Sequence, residues 1–168
     1  MNKFKLLAAL ALLFCANFAL AEKIAVFNFE QAVFSTAHAQ KVIQELQNNS
    51  DYAQWAAQEE SIISELQTLN KQKEKEGPTW SAEQVGEYRK KVNLLQQDLQ
   101  FNRNKLQNAQ EELRRRILTE MQQQVETVLN QIIEAEGYEI VLNSQTVIFR
   151  TPKADITPKV VQALDKLK

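Results

Sequence analysis

The sequence predicts an α+β fold in which a long antiparallel helical hairpin, a coiled-coil arm, projects from a small β-rich body completed by oligomerisation. Three observations predict it. Residues 81–137 contain no proline and read as one helix, roughly 80 Å long at about 1.5 Å per residue. A compact chain of this size has a radius of gyration of only about 15 Å, so this helix has to project. Before it, Gly77-Pro78 ends a second polar helical run, and two long helices joined by so short a turn run antiparallel. Segments of strand character lie only outside the hairpin, and a body built from them is too small for a comfortable core of its own.

Residues 1–21 read as a secretory signal peptide. Lys3 and Lys5 precede an apolar run over 6–18, and Ala19-Leu20-Ala21 supplies the cleavage region. The run is too short to span a bilayer. Cys15 follows the bulky Phe14 and belongs to the discarded stretch. Cleavage after Ala21 leaves 147 residues with no cysteine, hence no disulfide and no thiolate site. The remaining 18 basic and 21 acidic side chains give a formal charge of −3, which argues against a nucleic-acid partner.

The body is expected from residues 22–36 and 137–168, and the arm from 37–136 with its tip near 77–81. Residues 23–28 (Lys-Ile-Ala-Val-Phe-Asn) read as a strand and 29–34 as a short helical link. Residues 37–76 read as helical, with a kink or restart at Asn48-Asn49-Ser50-Asp51, whose side chains compete for backbone groups. Ser81 and Gln84 form a capping-box pattern. The seam Val85, Tyr88, Val92, Leu95, Leu99, Asn102, Leu106, Ala109, Leu113 alternates steps of three and four, the signature of left-handed helix packing. Ile117, Met121 and Val125 then follow in steps of four, a stutter that unwinds the supercoil, before Val128 and Ile132 resume the seam. Asn102 reads either as a buried register pin or as a solvated residue. Gly137 is expected as a left-handed helix cap. Residues 138–143 and 146–150 read as a strand hairpin around Ser144-Gln145. Thr157-Pro158 starts a last short helix, with Thr157 as its cap.

Ile24, Val26, Ile140, Leu142, Val147 and Phe149 give the strands an apolar side that needs covering. Strands from several chains, joined in a shared sheet or barrel, would cover it and remove open edges. These six are the expected oligomerisation residues. The sequence physics does not set the number of copies.

Chemistry is sparse. His38 is the sole histidine and reads as a solvated surface residue, which leaves no catalytic or metal-ligating constellation. Three glycines form no phosphate-binding loop, and no cofactor is expected. Glu59-Glu60 and Glu111-Glu112 diverge on polar helix faces, and Glu111 and Glu112 are expected to pair with Arg114-Arg115-Arg116 along the helix. Exposed apolar surface marks interaction sites, so Trp80, Tyr88, Trp55 and Phe101 on the arm are the candidate contacts for a partner, or else pack the two helices together. Lys75, Arg89 and Lys90 near the tip are the candidate contacts for anionic headgroups.

The order of parts resembles the Skp/OmpH family of periplasmic chaperones over nearly the whole mature chain. The resemblance rests on Lys-Ile-Ala-Val-Phe-Asn, the charged hairpin, Glu-Ile-Val-Leu-Asn, Thr-Val-Ile-Phe-Arg and Ala-Asp-Ile-Thr-Pro-Lys-Val-Val-Gln-Ala-Leu. It implies a homotrimer with a small shared β-barrel, arms around a central cavity, and ATP-independent holding of unfolded outer-membrane β-barrel proteins in the periplasm. The best-studied members are basic, with positively charged arms, where this mature chain is slightly acidic. A lipopolysaccharide or membrane-surface contact, if carried over, would fall on Lys75, Arg89 and Lys90. The alternative is a structural coiled-coil adaptor or spacer of the envelope that binds one folded partner.

Overall fold

The computed structural model describes residues 23–167; the signal-peptide reading over 1–21 lies outside them. Strand β1 (Ile24–Phe27) is followed by helices α1 (Phe29–Phe34), α2 (Ala37–Gln47) and α3 (Ser50–Glu76). A 3-10 turn (Gly77–Thr79) leads into α4 (Ala82–Glu136), then strand β2 (Ile140–Asn143), a 3-10 turn (Pro152–Ala154) and helix α5 (Thr157–Leu164). The chain is mostly helical, with α3 and α4 packed as an antiparallel hairpin and a two-stranded parallel sheet at its base.

Local signals explain the helix ends. Asn49 accepts from the backbone N–H groups of Asp51 and Tyr52, so α3 restarts where α2 stops. Ser81 and Gln84 form the reciprocal capping box that starts α4. Gly137, at φ 68°, ends it in the left-handed region, where a side chain would be strained. Between these caps α4 runs 55 residues, about 80 Å at the helical rise.

Every seam residue of α4 from Val85 to Ile132 is buried or half-buried. On α3 the matching seam is Tyr52, Trp55, Glu59, Ile62, Leu66 and Leu69, while Ala53 and Ala56 face solvent. Asn102 is buried, and its amide donates to the Asp98 carbonyl at 3.1 Å. It is thus satisfied by its own helix and, among the described residues, pairs with nothing across the seam. The main core lies at the base, where Ile117, Met121, Val125 and Val128 of α4 meet Val33, Val42, Ile156 and Val160.

Two local expectations are corrected. Residues 146–150 do not form a strand, and the hairpin around Ser144-Gln145 is absent. Instead β2 pairs in parallel with β1, in the register Ile24↔Ile140 to Phe27↔Asn143. Parallel pairing needs a long crossover, and the whole arm is that crossover. The other edge of β1 is occupied by the Asp155 bridge and by the Ile156 N–H, which donates to the Val26 carbonyl. Residues 146–150 pair with neither strand, although the outer edge of β2 stays open among the described residues. Thr157 begins α5 but does not cap it; its hydroxyl accepts from the Asn28 N–H at 3.0 Å, and the Asp155 carboxylate accepts from the Thr157 N–H at 3.0 Å.

Candidate functional site

The arm and the body at its base offer three distinct surfaces. At the tip, the Trp80 and Tyr88 ring centroids are 5.2 Å apart with their planes at 46°. The Tyr88 hydroxyl donates to Asn70 of α3 at 2.9 Å, and Lys73 lies 5.5 Å from the Tyr88 centroid. These rings close the end of the hairpin, and both are half-buried. Lys75, Arg89 and Lys90 are exposed around them and make no ion pair among the described residues. The neighbouring Lys91 is paired with Glu65 at 2.7 Å.

Midway along the arm, Lys105 Nζ lies 4.3 Å from the Phe101 ring centroid and 5.4 Å from that of Trp55. Trp55 occupies the α3 seam, whereas Phe101 is 60% exposed. Leu94, seven residues before Phe101, is also largely exposed. Arg103, two residues from Lys105, leaves the seam on the opposite side and donates to Glu59 at 2.8 Å. Leu94 and Lys105 are absent from the sequence-derived candidates. The signal was available: Leu94 and Phe101 are apolar, one heptad apart and off the seam.

At the base, parallel register puts Ile24, Val26, Ile140 and Leu142 on one sheet face. Ile24, Ile140 and Leu142 are exposed, whereas Val26 is buried, so the open face holds fewer residues than expected. Val147 is half-buried, Phe149 is 81% exposed and Ile148 is fully exposed. The outer edge of β2 meets no strand among the described residues.

Polar contacts fasten this base. Burial acts to raise the pKa of Asp155, but hydrogen bonds from the Thr157 side chain and backbone and the adjacent Arg150 guanidinium, 3.1 Å away, hold it below its ordinary value. The Lys159 pKa is raised, chiefly by its hydrogen bond to the Glu136 carboxylate at 3.0 Å. Arg114 does not pair with Glu111 or Glu112 as expected. It donates to Glu30 of α1 at 2.6 Å, and Arg116 faces Glu120 one turn on. The competing partner wins for Arg114 because folding brings α1 beside α4. A groove of about 370 Å³ lined by Phe34, Ile43, Leu46, Tyr52, Leu113 and Ile117 marks where the α2–α3 restart parts from α4.

Among the described residues, no cluster of His, Cys, Asp and Glu side chains could hold a metal ion, and no helix is long and apolar enough to cross a membrane. His38 is exposed at the start of α2.

The model of the family described as outer membrane protein (OmpH-like) matches residues 23–164. The chain belongs to that family. The OmpH/Skp-like proteins are periplasmic, non-enzymatic chaperones, and unfolded proteins are the partners that such a family implies. Among solved structures, an OmpH-like protein from Caulobacter crescentus CB15 is similar at 23% identity, covering 85% of this chain and 83% of its own, with a TM-score of 0.47. No curated protein matches the sequence.

Proposed function

We propose that this OmpH-like chain is an ATP-independent periplasmic holdase that acts as a homotrimer after residues 1–21 are removed. Residues 22–36 and 137–168 would assemble the body, and the arms, 37–136, would enclose unfolded outer-membrane β-barrel proteins. The observation that carries this reading is the unsealed base. An apolar sheet face, an open β2 edge and the unpaired Thr-Val-Ile-Phe-Arg segment lie together at the foot of a long projecting hairpin. An edge of this kind invites pairing with another chain. Residues 146–150 have the β-branched and aromatic composition of the missing strand, so copies of the chain complete one another through Ile24, Ile140, Leu142, Val147 and Phe149. Several arms around one closed body then leave a space between them.

Unfolded barrel strands expose alternate apolar side chains and unpaired backbone groups, which aggregate by edge pairing. Arms that touch such a chain at many weak points hold it by multivalency, not through one deep pocket. Light scattering on the mature protein is expected to give a trimer mass, and the trimer to suppress aggregation of a urea-diluted outer-membrane barrel protein at about one trimer per client. A well-folded monomer at micromolar concentration, or a trimer that leaves aggregation unchanged, would overturn the reading.

A further inference from the structure

We infer that the flank of α4 carrying Leu94, Phe101 and Lys105 is a client-reading strip, selective for extended segments with an aromatic and an acidic side chain two residues apart. This inference rests on the holdase reading and names the chemistry of the segment held. Seam positions on α4 are spent on α3, but Leu94 and Phe101 lie outside the seam and stay open. Their spacing of seven residues puts them on one stripe, about 10 Å apart along the helix. Lys105 follows Phe101 by four residues, so the two share that flank with Cβ atoms about 5–6 Å apart.

The ammonium of Lys105 stands against the rings of Phe101 and Trp55, and among the described residues it has no carboxylate partner. Lys91 and Arg103, which reach across the seam, are matched by Glu65 and Glu59. Lys75, Arg89 and Lys90 at the tip are unpaired like Lys105, but among the described residues only Lys105 stands against two rings. Lys105 is thus a cation held in place by aromatic faces with its charge unspent. One face of Phe101 takes the ammonium, and the exposed remainder is free to stack.

An extended chain presents side chains i and i+2 on the same face, about 6.6–6.8 Å apart. That is close to the Phe101–Lys105 separation. An aromatic side chain laid on Phe101 therefore brings a carboxylate two residues away to Lys105. Barrel strands carry aromatic residues in girdles where they leave the apolar band, and these strand ends are where charged neighbours are tolerated. The surface fits an unfolded segment from such a strand end, and it fits the basic counterpart poorly.

The test uses the mature trimer and two labelled 12-residue peptides in a Thr/Ser background, one with a central Tyr-Thr-Asp and the other with Tyr-Thr-Lys. Fluorescence anisotropy is expected to show binding of the acidic peptide about two- to fivefold tighter than the basic one, a range set by an exposed, partly screened ion pair. Lys105→Glu is expected to reverse the order. Leu94→Ser/Phe101→Ser is expected to weaken both peptides while helix content and trimer mass are unchanged. Equal binding of the two peptides, a preference that survives Lys105→Glu, or no binding of either peptide would each overturn the inference. Aggregation suppression by the wild-type trimer separates the two ideas: if suppression holds while peptide preference is absent, the strip is wrong and the holdase stands. If suppression fails, the holdase reading itself is lost.

Discussion

The two ends of the arm carry one continuous apolar seam, heptad-spaced toward the tip and stepping by four from Leu113 to Val125, and bury it to different degrees. From Leu113 to Val128 the seam residues are buried, with Ile117 at 0% exposure. From Val85 to Leu99 each is only half-buried. Residue type does not account for this, since both stretches use Val and Leu. The base is covered by α1, α2 and α5. Further out, α4 has α3 alone, and a single facing helix leaves the flanks of each seam side chain wet. Stability should therefore fall from base to tip, as local opening costs less where fewer apolar groups are covered.

The largest test of that gradient is truncation of equivalent seam positions. Ile117→Ala is expected to cost about 2–5 kcal/mol in urea unfolding, because the surrounding core cannot fully collapse on the gap. Leu95→Ala should cost less than half as much, since water already reaches the site. Equal losses would mean that the arm unfolds with its base as one unit.

Asp155 extends the comparison to the body. Asp155→Asn is expected to lose about 1–3 kcal/mol at pH 7, from hydrogen bonds that involve a charged group. The Asp155 pKa is lowered on folding, so its contribution is full above the ordinary carboxylate range. It fades as pH falls through that range toward the depressed value. The stability difference between wild type and Asp155→Asn, measured from pH 7 to pH 3, should shrink on acidification. A constant difference would remove the charge from the explanation.

Gly86 sharpens the picture at the tip. A Cβ placed there meets nothing within 4 Å, so the glycine answers no packing need and loosens the first turns of α4. Gly86→Ala should stabilise by about 0.5–1 kcal/mol, seen as slower hydrogen exchange in residues 82–90 with the base unchanged. The smallest effect is expected for Arg103→Ala, about 0.2–1 kcal/mol for an exposed ion pair with Glu59, and it should vanish in high salt.

Legibility in the sequence followed the same divide. The restart at Asn49, the Ser81–Gln84 box, the Gly137 cap and the seam of α4 were all readable, because each depends on residues within a turn or two of one another. Leu94 was missed, although beside Phe101 it takes only the helical period to find. The missed contacts share the opposite property. Arg114 has acidic residues nearby in sequence, yet it binds Glu30, 84 positions away. The Thr157 hydroxyl was read as a cap for its own helix and serves Asn28, 129 positions away.

Sequence alone therefore determined where helices start, stop and turn back, because caps, breakers and periodicity act over one or two turns of backbone. Only the tertiary structure decided that β1 takes β2 in parallel, that Asp155 occupies its other edge, and that residues 146–150 stay out of the sheet. Those outcomes depend on which distant segments the hairpin returns to the same place. Strand composition says that a segment wants a neighbour, and the path of the chain says which neighbour is within reach.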